Sequence, residues 1–431
     1  MTAAGLPVVA SKRQYNILML APTMFFADYG CHVRILEEAM TLRQLGHRVT
    51  ILAYPNGRDV AGLDVCRCWG VPFSYRVIVG SSRHKIYLDV MLAVKAVWHA
   101  LRHKPDVIHA HLHEGALLGW FLSRITRAPL VFDFQGSLTG EMIDHHFLRG
   151  PDSWAFKPLL WLETWIDRAA PALLASSQHS ANLLKQEFGV SEHQIHPLPD
   201  CVNADTFSPD CCPDTAREDL KRQLGIPLDK QLIVYLGLLT EYQGIGLLLD
   251  AVHQLKGQRT DSHLLLMGFP HEGYRARAVQ LGIGDRVTFT GKIPYEEAPR
   301  FLALGDTAVA PKISATEGSG KILNYMSMAL PTVAFDTPVS REYLGDLGLY
   351  ATECSAAALA AALGQILDMS EAERAALGEK LRQRAITVYS WERAGEQLVA
   401  VYQTLVEKER AHVEGSGAAP RSKVDEQPSE N

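Results

Sequence analysis

Short, continuously apolar runs recur along this chain, each followed by a longer stretch of helical periodicity, and that alternation is what most narrows the folds open to it. Asn16-Ile-Leu-Met-Leu-Ala21 has the unbroken apolar character of a strand buried on both faces of a parallel sheet. From about Val33 to Leu45 a helical pattern places Ile35, Leu36, Ala39, Met40 and Leu42 on one side and stops at Gly46, and Arg48-Val-Thr-Ile-Leu-Ala53 then reads as a second strand. Together they make a βαβ unit, whose crossover is right-handed. Further strands are expected at Val107 to Ala110, Leu130 to Asp133 and Ala172 to Ser176. A second series follows at Leu232 to Leu236, His263 to Met267, Arg286 to Phe289, Ala308 to Ala310 and Thr332 to Phe335. The alternation predicts an α/β protein of two Rossmann-like, doubly wound domains, with ligands beyond the carboxyl ends of the strands and function in the cleft between the halves.

At 431 residues the chain is too long for a single core. The composition shifts suggest a flexible N-terminus at 1–14, a first domain at 15–207, a polar linker at 208–214 and a second domain at 215–389. A helix over 390–410 follows, then a polar tail at 411–431 with almost nothing to bury, expected to be disordered. The formal net charge of -6 provides no basic footprint for nucleic acid. Seven cysteines, with the close pairs Cys66/Cys68 and Cys211/Cys212, lack zinc-ligand spacing and read as reduced thiols of a cytoplasmic protein. Met1 to Arg13 has no leader pattern and no later stretch reaches 18 uninterrupted apolar residues, so neither export nor a membrane span is expected.

Two places concentrate chemistry. Glu317-Gly-Ser-Gly320 follows the strand Ala308 to Ala310 and precedes an apolar helix, Ile322 to Met328, so its N–H groups surround a helix N-terminus that attracts anions. Gly318 and Gly320 let the backbone approach a ligand, Ser319 lies between them, and Lys321 puts a cation where the helix dipole alone favours an acid. The Gly-Ser-Gly-Lys string is not a P-loop, which needs glycine at Ala315 and Ser or Thr at Ile322; an ordinary capped helix is the plainer alternative. In the first half, His109, His111 and His113 follow a strand, and alternation puts them on one face, with at least one imidazole aimed into the cleft. With no separate fourth ligand in view, no metal is expected. Asp133 and Gln135 lie after the next strand and are further candidates for the cleft, though Asp133 fits equally well as a buried strand-end carboxylate.

Taken in order, the motifs resemble those of the retaining family-4 glycosyltransferases of GT-B fold, from Asn16 to about Glu407. The resemblance is carried by Gly46-His-Arg-Val-Thr50, Pro105-Asp-Val-Ile-His-Ala-His111, Leu198-Pro-Asp-Cys-Val-Asn-Ala-Asp-Thr-Phe-Ser-Pro209, Gly282 to Gly291, Glu317-Gly318 with Tyr325-Met326 and Pro331, and Ser390-Trp391. It implies a final helix crossing back onto the first domain, a nucleoside-diphosphate sugar as donor, a hydroxyl acceptor and no cofactor. Glu317 and His111 match the family's sugar-contacting catalytic positions; Gly30, Gly237, Lys312, Gly318, Ser319, Gly320, Lys321 and Asn324 fall on the donor side, and Asp133, Gln135 and His113 on the acceptor side. The chain also departs from the pattern. Leu238 and Gln243 stand where an Arg and a Lys normally meet the diphosphate, and Asn324 stands where a second glutamate holds the ribose. Lys321 and Lys312 are the cations left to meet the phosphates.

Two rivals remain open on the sequence: a nucleotide-sugar epimerase of GT-B fold, and a nucleotide-sugar-binding protein without turnover. Some relatives dock peripherally on the inner face of a membrane through aromatic and basic surfaces; here the helix Lys85 to Lys104 and the segment Trp154 to Trp165 have that composition, with a crossover helix packed on its sheet as the plainer reading.

Overall fold

The computed structural model describes residues 13–28, 30–70, 85–144, 147–314 and 318–417. Glu317, most of the predicted N-terminal segment and the tail from 418 lie outside the described residues. Seven strands form the first sheet: β1 (Asn16–Ala21), β2 (Arg48–Ala53), β3 (Asp64–Arg67), β4 (Val107–His111), β5 (Leu130–Phe134), β6 (Ala172–Ala175) and β7 (Ile195–Pro197), in the order β3-β2-β1-β4-β5-β6-β7. Six form the second: β8 (Gln231–Leu236), β9 (Ser262–Met267), β10 (Val287–Gly291), β11 (Thr307–Ala310), β12 (Thr332–Phe335) and β13 (Leu349–Ala351), in the order β10-β9-β8-β11-β12-β13. Every pairing within the two sheets is parallel. The order reverses beside β1 and again beside β8, and at such switch points the loops leaving the strands part and open a crevice. This is the GT-B arrangement that the resemblance implies.

The unbroken apolar strands are explained by helices on both faces. On β1, Leu18 and Leu20 join a core with the helices Lys85–His103, Leu112–Thr126 and Phe156–Ala169, while Ile17, Met19 and Ala21 join a second core with the helices Gly30–Gln44 and Trp391–Gly417. The last of these follows the second domain in the chain yet buries Ala394, Leu398, Tyr402 and Leu405 against the first. Burying such side chains contributes about 1.5–3 kcal/mol for each large one. Gly395 permits the contact, since a Cβ there would stand 2.4 Å from Cγ2 of Thr41. The helix continues past 410, where the sequence suggests a disordered tail, because Glu407 to Glu414 is rich in helix-forming Glu, Lys, Arg and Ala.

The chain leaves the first sheet after Pro197, and Val202 and Phe207 already belong to the second core. There Val202 donates its N–H to the carbonyl of Tyr389 at 2.8 Å and pairs with Ser390, so the outward and returning passages run side by side. Among the described residues no helix is long and apolar enough to cross a membrane.

Candidate functional site

A cavity of about 350 Å³ opens between the two halves, walled by the loops that follow β1, β4, β5, β8 and β11. On its second-domain wall the chain turns through Gly318 and Ser319 into the helix Gly320–Ser327. Gly318 is required by close approach: a Cβ there would lie 2.3 Å from Oδ2 of Asp200. Ser319 gives the helix no side-chain cap, and its buried hydroxyl has no hydrogen-bond partner. A buried hydroxyl left this way is costly unless something satisfies it, and a ligand oxygen in the cavity would do so.

Lys321 reaches from the first turn of that helix across to the loop after β8. Its Nζ donates to Oε1 of Gln243 at 2.6 Å and to the hydroxyl of Tyr235 at 2.9 Å, and stands 4.4 Å from the centre of the Tyr235 ring. The same ammonium would meet a Cβ on Gly237 at 2.8 Å, at a residue whose φ of 144° already favours glycine. The loop in which Leu238 and Gln243 replace two expected cations therefore receives one from another element. Lys312 donates to the carbonyl of Gly318 at 2.9 Å and holds the glycine turn in place.

The first-domain wall rests on a buried ionic network. Arg34, on the helix Gly30–Gln44, is 5% exposed. Its Nε and Nη2 donate to the Asp133 carboxylate at 2.9 and 2.7 Å, Nη1 to Asp200 at 3.1 Å and Nη2 to the carbonyl of Leu198 at 3.0 Å, with Glu38 3.2 Å from Nε. Burial works to raise the Asp133 pKa, but the Arg34 charge and the His111 hydrogen bond hold it well below the usual carboxylate range. Glu38 goes the other way: burial, then the negative charge of Asp133, push its pKa well above the usual carboxylate range against the opposing effect of Arg34. His111 Nδ1 lies 3.0 Å from Oδ2 of Asp133, and Gln135 Nε2 donates to the same oxygen at 2.8 Å, 3.3 Å from His111 Nδ1.

Glu38, His109, His111 and Asp133 bring four potential metal ligands within 4.8 Å of one another. The His109 and His111 rings stack at 4.5 Å with 18° between planes, their Nε2 atoms lie 3.4 and 3.9 Å from Oε2 of Glu38, and Arg34 already neutralises Asp133. Burial and the neighbouring His111 hold the His109 pKa down, leaving it neutral.

The three histidines do not share a face, contrary to the expectation from strand alternation. The strand ends at His111, Leu112 takes a φ of 61°, and a helix begins at once, which turns His113 to the opposite side of the sheet. There His113 lies edge-on to Phe132 and Phe134, with Nε2 3.3 Å from Oδ1 of Asp167. Burial alone would lower its pKa; the hydrogen bond and charge of Asp167, with Glu163 behind, bring it up to about 9. His113 is thus an imidazolium at neutral pH.

The expected donor residues Gly30, Gly237, Lys312, Gly318, Ser319, Gly320, Lys321 and Asn324 all border the cavity, as do His113 and Gln135 of the acceptor group. His111 and Asp133 do not reach it: both have no exposed surface and stand behind Gln135 and Arg34. Sequence reasoning missed Arg34, Asp200, Tyr54 and Lys85 on the cavity wall. Lys85 Nζ lies 3.5 Å from Oε1 of Glu114, and Tyr54 donates to Asp89, whose carboxyl burial raises to about 6 despite that bond. The sequence offered no signal for Arg34, since Glu37 and Glu38, three and four residues on, make it read as part of an ordinary solvated helix face.

The family described as Glycosyl transferase 4-like domain matches residues 29–201, and that described as Glycosyl transferases group 1 matches residues 216–384. The chain is similar to the MMP alpha-(1->4)-mannosyltransferase of Mycolicibacterium hassiacum, 28% identical over 88% of this chain and 94% of that protein. Among solved structures it resembles sucrose-phosphate synthase from Thermosynechococcus elongatus, with a TM-score of 0.77 and 20% identity over 92% of this chain and all (100%) of that one. It also resembles Anabaena HepE in complex with UDP and glucose, with a TM-score of 0.73 and 18% identity over 90% of this chain and 100% of that one.

Proposed function

We propose that this glycosyltransferase, whose first half matches a glycosyl transferase 4-like domain and whose second half matches a group 1 domain, resembles the family-4 enzymes in activity as well, as a retaining enzyme moving a sugar from a nucleoside-diphosphate donor to a hydroxyl acceptor. The observation that carries the donor reading is the second-domain wall, where the Lys321 ammonium, the unpartnered Ser319 hydroxyl and the N-terminus of the helix Gly320–Ser327 border one cavity. A departing diphosphate develops negative charge, and donors fixed in advance around it lower the barrier without reorganising. The complex of HepE, a protein of like fold, with UDP and glucose agrees with a nucleotide-containing donor.

In the retaining scheme the leaving phosphate and the incoming hydroxyl occupy one face of the sugar, and the protein supplies orientation and charge, not a nucleophile. Lys312 holds the glycine turn through the Gly318 carbonyl, and Lys321 faces the phosphates. Glu317 keeps its proposed place at the donor sugar. His111, having no exposed surface, takes a positioning role: with Asp133 it fixes Gln135, the group of that trio on the cavity wall. The acceptor meets Gln135 and His113 and is a glycan, a lipid-linked sugar or a small molecule. We place the reaction in the cytoplasm, which the seven free cysteines favour.

Incubation with several nucleotide sugars tests the reading. Slow donor hydrolysis, with transfer and an unchanged anomeric configuration once an acceptor is supplied, supports it. An epimerised product assigns the chain to the epimerase rival, and tight binding without turnover to the non-catalytic one, the outcome favoured by the uncharged Leu238, Gln243 and Asn324.

A further inference from the structure

The helices Lys85–His103, Leu112–Thr126 and Phe156–Ala169 cover one face of the first sheet and pack side by side. Their inner sides bury Leu88, Leu92, Leu122 and Ile166, as a crossover layer must. Their outer sides should then be polar, and they are not. On Lys85–His103 the outward positions run Ile86, Val90, Val94, Trp98 and Leu101, between 48% and 70% exposed. Phe121 and Ile125 continue the surface on the next helix and Trp161, 68% exposed, on the third. Trp154, just before that third helix, is 91% exposed. A contiguous apolar surface of this extent marks an interaction site.

The exposed charges on the three helices are of one sign. Every exposed ionic residue of the three helices is basic: Arg102, Arg124, Lys157 and Arg168. The whole chain carries -6, so the face reverses the overall charge locally. Cations also lie over the aromatic rings, with Lys95 Nζ 5.0 Å from the centre of the Trp69 ring and 4.8 Å from that of Trp98, and Arg124 3.5 Å from that of Trp120. Aromatic bodies with long basic side chains at their rim match the boundary between acyl chains and headgroups. A second copy of the chain would set one basic face against another, which favours a lipid surface over self-association.

We propose that this face docks on a bilayer containing anionic lipid. The orientation follows from one helix: Lys85 and Leu88 line the cavity while Ile86, Val90 and Val94 face outward. Docking therefore sets the first-domain side of the cleft beside the bilayer, and the acceptor it receives there is lipid-borne. Only that last step rests on the glycosyl-transfer reading; the surface stands without it.

The test is co-sedimentation of the full chain with vesicles of phosphatidylcholine alone and with phosphatidylglycerol added. We expect binding to the anionic vesicles, weakened by salt. Trp154→Ser with Trp161→Ser, and separately Arg102→Glu with Arg124→Glu, lower binding at least about tenfold while donor hydrolysis without vesicles is unchanged. Lys157→Glu with Arg168→Glu serves if either variant is misfolded. Failure to bind anionic vesicles, variants that bind like the parent, or a parent dimer dissolved by these substitutions would overturn the proposal. Vesicle binding with no donor turned over would sink the glycosyl-transfer reading and leave the docking surface standing.

Discussion

The hydroxyl of Tyr402, on the final helix, stands 2.6 Å from Nδ1 of His109 at the centre of the first sheet, and both residues are fully buried. His109 Nδ1 and the phenol share one hydrogen bond, the only one that this nitrogen makes among the described residues. Tyr402→Phe keeps the ring and strands that nitrogen in the core, which costs about 1–3 kcal/mol. Urea denaturation should show the loss as a lower midpoint with an unchanged slope. Truncation before Trp391 removes the whole contact and should abolish folding of the first domain; a truncated chain with full activity would contradict the role given to this helix.

Lys321→Ala should weaken nucleotide-sugar binding and slow transfer roughly tenfold to a hundredfold, the range of a charge-assisted contact to phosphate, and Lys321→Arg should keep part of both. Isothermal calorimetry with a nucleoside diphosphate reads the binding half directly. Unchanged affinity in a folded Lys321→Ala protein removes the phosphate site from this wall.

Gln243→Lys tests the same wall from the other side. Oε1 of Gln243 lies 2.6 Å from the Lys321 ammonium, so a lysine there sets two cations against each other, and the single variant should bind donor no better than the parent. Combined with Lys321→Ala, the same substitution should restore donor affinity. Non-additivity in the double-mutant cycle is the measurement.

The His113–Asp167 pair gives stability a pH dependence. The folded pKa of His113, about 9, lies above the ordinary 6.5, so folding takes up a proton between these values. The contribution is complete below about pH 6.5 and is lost as pH rises through about 9. Melting temperature should fall over that window, and His113→Gln should flatten the fall. An identical slope in the variant would assign the proton elsewhere.

Arg34→Met should be among the most damaging single changes, costing about 3–5 kcal/mol, because it leaves carboxylates buried without their cation. Asp133 and Asp200 would both be stranded, and Gln135 would lose its anchor. Chemical denaturation measures the cost, and a variant as stable as the parent would remove Arg34 from the centre of this wall.

The strand framework was legible because strands buried on both faces have no choice but to be apolar; β1, β8, β9 and β12 announce themselves. The edge strands β3, β7 and β13 did not, since Asp64-Val-Cys-Arg67, Ile195-His-Pro197 and Leu349-Tyr-Ala351 are short and half exposed. The second-domain wall of the cavity was legible through its glycines. The first-domain wall was less so: one positive φ at Leu112 sent His113 across the sheet, and no pattern in the chain marks such a turn at a leucine. Arg34 was hidden for another reason. A charged residue inside a helix is ordinarily solvated, and only the folded chain brings Asp133 and Asp200, far along the sequence, to meet it.

The two passages between the halves, bonded where Val202 meets Tyr389 and Ser390, form a single pin. Other bonds cross between the halves farther out: Arg58 to Glu296 at 2.8 Å, the Gln178 N–H to Glu342 at 2.8 Å and Ser314 to Asp144 at 2.6 Å. Leverage then grows with distance from the pin. Asp200 and Trp391, both on the cavity wall and within two residues of it in sequence, sit where the arc is shortest. Opening the rim to a bulky acceptor would break those outer bonds first and leave the groups at the root in registration.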